Sequence, residues 1–353
     1  MSILLSDERE MSDESGQEPW LYELTVSEAA EIDGALAALV DSGKTDFAAS
    51  PADFPLPKVG PKLRRIVRSL EDEPGFALIR GIPVNGKTEE EVRRLYWGLG
   101  MHVGVPLIQN NADASIVDIR DEGRAGRLRV HTSNQHIGFH IDSTDIVGLL
   151  CRRAASHGGT SLVVSAEAVR RELSWVYPDL LTALYEPLPF ADVASPDENH
   201  PDFFMCPVFG RHEGRTTCRF YIRRILRSQD NPAAPRLTDR QRQAIAAVEE
   251  IAARPDLVTP MQFQPGDLQL INSHLVLHGR TAFDSDESEA GRHLLRMWFS
   301  VPSSRLLPPE FEAAWGTRQP GTLRGSALRW QLHGEFGEFQ RRQAKELGVV
   351  IPG

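Results

Sequence analysis

From about residue 113 onward the chain is written in short apolar runs: SIVDI (115–119), RVHT (129–132), IVGLLC (146–151), TSLVVS (160–165), CRFYI (218–222), LQLIN (268–272) and LLRMWFSV (294–301). Turns rich in Gly, Asp, Asn and Ser separate them. Many short strands of this kind favour a sandwich or jelly roll over a parallel sheet. The expected fold is therefore mixed α/β, mainly β, with a double-stranded β-helix (jelly-roll) core and flanking helices.

Helical spacing of apolar residues predicts helices over 27–42, where Ser27 is the expected cap, and over 61–70. Residues 75–81 read as a strand bounded by glycines. Residues 88–98 read as a helix with acids in its first turn, where the dipole favours them. Two further helices are expected, at 166–184 and at 238–253 behind the capping pattern that begins at Thr238. The tail after Pro308 is helical and aromatic in character, with Phe311, Trp315, Trp330, Phe336 and Phe339, and reads as packing or a contact between copies. No stretch is rich enough in Gly, Pro or Ser to act as a linker. Residues 20–353 are thus expected to form one domain, with a core at 75–305 and a helical tail at 308–353.

Composition narrows the class. The formal net charge of −10 works against a polyanion-binding surface, so nucleic acid is not an expected partner. Residues 1–19 are acidic and read as a mobile leader; they lack the basic-then-apolar order of a secretory signal. No run approaches the roughly 20 apolar residues of a membrane-spanning helix. Cys151, Cys206 and Cys218 are too few and too irregular for a disulfide framework, which fits idle thiols in a reducing cytoplasm. The expected partner is a small molecule, with a homo-oligomer through the tail as a further possibility.

The chemistry lies in one constellation. In His140-Ile141-Asp142, residues two apart on an extended segment project to the same face. Alone, such a pair is weak, because a chain with this many acids supplies it by chance. Far downstream, strand-like LQLIN leads through a turn to His274 and His278, either of which completes two histidines and one carboxylate. That set holds iron(II) with positions left for other ligands. Arg292 and Arg296 follow on another strand-like run, on the same face, where a guanidinium clamps a carboxylate through two parallel hydrogen bonds.

H-x-D, the Gly158-Gly159-Thr160-Ser161 segment, a distal histidine and an Arg-x3-Arg run, in that order, resemble the taurine-dioxygenase-like (TauD/TfdA, clavaminate synthase-like) branch of the iron(II)/2-oxoglutarate oxygenases. The likeness covers about residues 75–305 and includes HGRTAF after His278. It implies iron on His140, Asp142 and His278, and 2-oxoglutarate on Ser161 and Arg292, with dioxygen as the second cosubstrate. It puts Arg296 on an acidic substrate, and the stretch before H-x-D adds Asn134 and His136 as substrate-facing residues. The roles of Arg292 and Arg296 are interchangeable at this point. The implied reaction is hydroxylation of an aliphatic C–H in an amino acid, organic acid or natural-product intermediate, with 2-oxoglutarate converted to succinate. Asp142 stands where related halogenases have a small residue, which argues against halogenation. Desaturation, epoxidation and cyclisation use the same oxidant. A metal-dependent jelly-roll hydrolase or isomerase, or a non-catalytic binding protein, leaves the arginine clamp unused.

Overall fold

The computed structural model describes residues 18–110, 114–121, 133–192, 195, 199–284, 291–325 and 331–352. Most of the acidic leader, the RVHT run and Trp330 lie outside these residues. Seven strands form the larger sheet: β1 (Leu21–Glu23), β2 (Phe76–Arg80), β3 (Val105–Leu107), β4 (Ile116–Ile119), β6 (Ile146–Arg153), β13 (Leu268–Asn272) and β15 (His293–Ser300). Their order is β1-β2-β13-β6-β15-β3, with β4 also paired to β15. A smaller sheet has the order β12-β7-β14-β5, built from β5 (Ile137–His140), β7 (Ser161–Ser165), β12 (Thr259–Met261) and β14 (Val276–Arg280). Two antiparallel pairs complete the strands, β8 (Leu188–Ala191) with β9 (Phe203–Cys206), and β10 (Phe209–His212) with β11 (Arg215–Cys218).

Alternation along each strand sorts side chains into three buried layers. The inner layer joins both sheets: Val147, Ile271, Leu294 and Trp298 from the larger pack with Val163, Met261 and Val276 from the smaller. On the outer face of the larger sheet, Leu270, Leu295, Met297 and Phe299 meet helices α1 (Val26–Asp41), α2 (Val59–Ser69) and α3 (Glu89–Val103). That contact is close enough to require a glycine in mid-strand, since a Cβ on Gly148 would lie 2.5 Å from the Tyr96 hydroxyl oxygen. On the outer face of the smaller sheet, Phe139, Val164 and Leu277 meet α4 (Ala166–Val176), α5 (Pro178–Leu184), α6 (Ile222–Ser228) and α7 (Asp239–Ala252). Helices α8 (Glu312–Trp315) and α9 (Gly334–Leu347) lie in the tail.

Several expectations are corrected. Among the described residues helices cover more of the chain than strands, so the fold is mixed α/β rather than mainly β. The first helix is capped by Thr25 and Glu28, not by Ser27, because Thr25 and Glu28 exchange the two reciprocal bonds of a capping box. The helix expected over 166–184 is two, because Pro178 has no N–H to continue the ladder and starts α5 instead. CRFYI is not a strand: pairing stops at Cys218 and a helix begins at Ile222, leaving Arg219–Tyr221 irregular. His140 closes β5, so Asp142 of the H-x-D pair lies just beyond the end of a strand.

A buried charge cluster ties the tail to the sheets. Asp145 accepts 2.7 Å and 2.9 Å hydrogen bonds from Arg324 Nε and His274 Nε2, and the His274 ring lies 4.5 Å from that of Trp315. His274 is thereby committed to structure. Breaking such a cluster strands a buried carboxylate, so Arg324→Met is expected to cost about 3–5 kcal/mol of unfolding free energy by chemical denaturation.

Candidate active site

The smaller sheet sets two histidines face to face. In the antiparallel pairing of β14 with β5, His278 stands opposite His140, and their rings lie 4.3 Å apart on the inner face. Asp142, two residues beyond His140, brings Oδ1 to 3.9 Å from His140 Nε2 and Oδ2 to 3.8 Å from His278 Nε2. All three side chains are buried, and their donor atoms fall within 4.8 Å of one another.

The protonation states suit a cation. Burial pushes the His140 imidazole below its usual range and the His278 imidazole down to about 3, the latter helped by His140 beside it. Both rings are therefore neutral and offer lone pairs. His140 donates from Nδ1 to the Gly138 carbonyl at 3.0 Å, which fixes the tautomer with Nε2 free. His278 Nδ1 is buried with no hydrogen-bond partner among the described residues. For Asp142, burial alone would raise the carboxyl. Arg296, His278, His140 and Trp298 outweigh it and hold the group well below the usual carboxylate range. Two neutral imidazoles and a carboxylate, drawn together without a hydrogen bond among them, fit a divalent metal such as iron(II).

Asp142 is oriented from β15. Trp298 Nε1 donates to Oδ2 at 3.1 Å, and Arg296 Nη1 donates to the same oxygen at 3.1 Å. Arg296 Nε donates to Gln109 Oε1 at 2.8 Å, and Gln109 Nε2 donates back to the Arg296 carbonyl. The residue expected on the substrate thus also touches the carboxylate of the triad, through Nη1. Hydrogen bonds to a charged group contribute about 1.5–3 kcal/mol each, which offsets much of the cost of burying Asp142.

A second cationic corner sits at the other end of β14. Arg280 shares the inner face with His278 and stands opposite Ser161 in the β14–β7 register. Its Nη2 donates to the carbonyls of Ser133 and Gln135 at 2.7 Å and 2.6 Å, which fixes the loop before H-x-D. Arg292 lies beside it, with both guanidiniums over the Phe283 ring at 4.6 Å and 5.4 Å. Among the described residues, Arg280 Nε and Nη1 and Arg292 Nη1 are buried without hydrogen-bond partners. Burial lowers both arginines, to about 9 for Arg280, where Arg292 adds repulsion, and to about 10 for Arg292. Gly159 makes the corner possible: its φ is +67°, and a Cβ there would lie 2.9 Å from Arg292 Nε. Two buried guanidiniums with open donors form a carboxylate site. Ser161 is buried nearby and donates to Gln269 Oε1 at 3.1 Å.

Sequence reasoning gave no role to Arg280, although its place two residues after His278 on one strand was signal enough. It also missed Trp298 and Gln109, whose contacts with β15 and Asp142 no local spacing reveals. Arg224 is half-buried, whereas Arg223 and Arg227 are exposed. Asn134 is half-buried, and its carbonyl accepts from Phe283 N–H at 3.1 Å. His136 is exposed at the rim of two cavities, of about 500 and 220 Å³. The larger opens between Leu162 and Glu249 on the outer side of the smaller sheet, away from the triad. A second cluster, Glu89, Asp118 and His293, also brings donors within 4.8 Å. Its acids are already matched by Arg93 at 3.0 Å and by Arg120 and Arg152 at 3.7 Å, so it is an ion-pair network.

Comparison with known proteins bears on this geometry directly. Residues 39–298 match the family described as taurine catabolism dioxygenase TauD, TfdA family. The chain belongs to that family. It is 31% identical over 308 residues to FR-33289 synthase of Streptomyces rubellomurinus, covering 85% of this chain and 91% of that protein. It is 29% identical over 297 residues to the taurine hydroxylase-like protein SAT17 of Stachybotrys chartarum, covering 80% and 76%. Among solved structures, an asparagine oxygenase superposes with a TM-score of 0.61 at 19% identity, over 79% of this chain and 92% of that one. The non-heme iron oxygenase OrfP, in complex with iron and alpha-ketoglutaric acid, gives 0.59 at 18% identity, over 79% and 93%. As a member of this family carrying the triad, the chain is an iron(II)- and 2-oxoglutarate-dependent oxygenase of small molecules. No helix among the described residues is long and apolar enough to cross a membrane.

Loss of a hydrogen bond to a metal carboxylate weakens metal binding by about 10–100-fold. Trp298→Phe, which removes the Nε1–H on Asp142 while keeping an aromatic ring, is expected to weaken iron(II) binding by about that factor in an anaerobic metal titration.

Proposed function

We propose that this enzyme hydroxylates an unactivated aliphatic C–H bond of a small metabolite, an amino acid, organic acid or natural-product intermediate. The observation that carries the reading is the pairing of the neutral two-histidine, one-carboxylate cluster with the buried corner of unpartnered guanidinium donors. His140, Asp142 and His278 would hold iron(II). Arg292 and Ser161 would hold the distal carboxylate of 2-oxoglutarate, with Arg280 adding charge and fixing the loop above. Iron(II) with 2-oxoglutarate and dioxygen supplies an oxidant that puts one oxygen atom into the C–H bond while 2-oxoglutarate becomes succinate and carbon dioxide.

The chain's own task is position and exclusion. Trp298 and Arg296 keep Asp142 ionised and aimed, and the Gly138 carbonyl keeps His140 in one tautomer. Arg296, Asn134 and His136 keep their substrate-facing roles in this reading. Arg296, bonded to Asp142 through Nη1 and to Gln109 through Nε, also positions the carboxylate. The two facing sheets support a double-stranded β-helix as the frame, with residues 20–353 acting as one catalytic unit. Three buried free thiols and the net charge support a cytoplasmic enzyme without a nucleic-acid partner.

Two measurements test this. With ¹⁸O₂ and a panel of acids, amino acids and sulfonates, one label is expected in the alcohol and one in succinate; an oxidised product without label would overturn hydroxylation. Arg292→Met, with a charge-assisted pair removed, is expected to raise the KM for 2-oxoglutarate by about 30-fold or more. An unchanged KM would reassign the carboxylate to another arginine.

A further inference from the structure

One buried cation near the triad is used by nothing so far described. Arg219 is 2% exposed, in the irregular segment between β11 and α6. Its guanidinium sits among three rings, 5.0 Å from Phe204, 5.4 Å from Trp315 and 5.5 Å from Phe190. Its Nη2 donates to Ser143 Oγ at 3.2 Å, while Nε and Nη1 are buried without a hydrogen-bond partner among the described residues. Among the described residues no carboxylate lies within 4.0 Å of it, although buried charges are ordinarily paired. Aromatic faces ease the burial of a guanidinium but leave its N–H donors unsatisfied.

Its position ties it to the metal cluster. The Phe220 carbonyl accepts from Ile141 N–H at 2.8 Å, so residues 219–221 run alongside 140–143. Tyr221 lays its ring 5.0 Å from that of His140, while Arg219, two residues earlier, reaches Ser143 beside Asp142. Arg224, one helical turn on, is half-buried, stands 5.7 Å over the Tyr221 ring, and donates to the Ala191 carbonyl at 3.2 Å. Both cations therefore flank the triad on the α6 side. Arg280 and Arg292 belong to the Gly158-Gly159 corner.

We propose that Arg219, with Ser143 and Arg224, is the subsite for an oxyanion on the substrate: a carboxylate, sulfonate or phosphate-type group. The substrate is then an acid anchored on the α6 side of the triad. The rings of Phe190, Phe204 and Trp315 hold the cation in place before the substrate arrives, so little order is lost on binding. This assignment rests on the oxygenase reading of the triad.

The test uses the anaerobic holoenzyme, loaded with iron(II) and saturated with 2-oxoglutarate so that the Arg292 corner is filled. Sulfate, inorganic phosphate and acetate are titrated in turn, with tryptophan fluorescence reporting through Trp315. At least one oxyanion is expected to bind saturably, with chloride as the inactive control. Removing one partner of a buried charge pair weakens it strongly, so Arg219→Met should bind that ion about 30-fold less tightly or worse. Arg219→Lys should keep part of the affinity. The visible band of the iron(II)–2-oxoglutarate complex monitors loading in each variant. Where Arg219→Met fails to load, Arg219→Lys and Ser143→Ala carry the comparison, and each should weaken the ion. A loaded wild type that binds no oxyanion, or binding indifferent to Arg219, overturns the subsite while the oxygenase reading stands. Absence of the band in wild type removes both.

Discussion

The antiparallel pairing of β14 with β5 places His278 opposite His140, and the rest of the site is arranged around that register. Strand side chains alternate, so a slip of one residue would turn His278 into the outer apolar layer and bring Leu277 inward in its place. The register is held because both faces are committed: Val276 packs into the inner layer, Leu277 against the helices. The same alternation puts Arg280 on the face of His278, and puts Arg292, Arg296 and Trp298 on one face of the run that enters β15. Metal cluster and cationic corner are thus two ends of one layer between two sheets.

Charge in that layer is unevenly matched. Asp142 is satisfied by Trp298, Arg296 and the histidines, while among the described residues Arg280 and Arg292 in that layer, and Arg219 beside it, each keep buried donors open. A buried polar group without a partner is costly, and an enzyme tolerates it where a ligand completes the bonds. The two open groups lie on different sides of the triad, one behind the Gly158-Gly159 turn and one in the ring cage before α6. A dicarboxylate cosubstrate and an acidic substrate can then bind without competing for one arginine.

Much of this was legible in the sequence because it follows periodicity. The two-residue spacing of His140 and Asp142, the glycine pair before Ser161, and the strand-turn-strand passage to His278 each state a local geometry that the structure contains. What failed to show was reach and partner. Period two gave the face of Arg296 but not that its guanidinium ends on Asp142, because that depends on the approach of β15 to the end of β5. Arg219 was hidden for another reason: CRFYI has the composition of a strand, yet pairing ends at Cys218, and an irregular segment carries no period to read. The Pro178 break and the Thr25 cap were written in residue chemistry, and closer attention to the missing proline N–H and to the Thr-x-x-Glu spacing would have found them. The excess of helix arises because both outer sheet faces are apolar and need cover, a demand visible only once the sheets are assembled.

The claim on which the account depends is that His140, Asp142 and His278 hold iron(II) with 2-oxoglutarate beside it. Anaerobic addition of iron(II) and then 2-oxoglutarate, watched in the visible range, tests this most directly. A weak charge-transfer band is expected in the wild type and is expected to vanish in Asp142→Ala and His278→Ala, both of which remove a ligand. A band that survives both substitutions, or a wild type without one, would contradict the account.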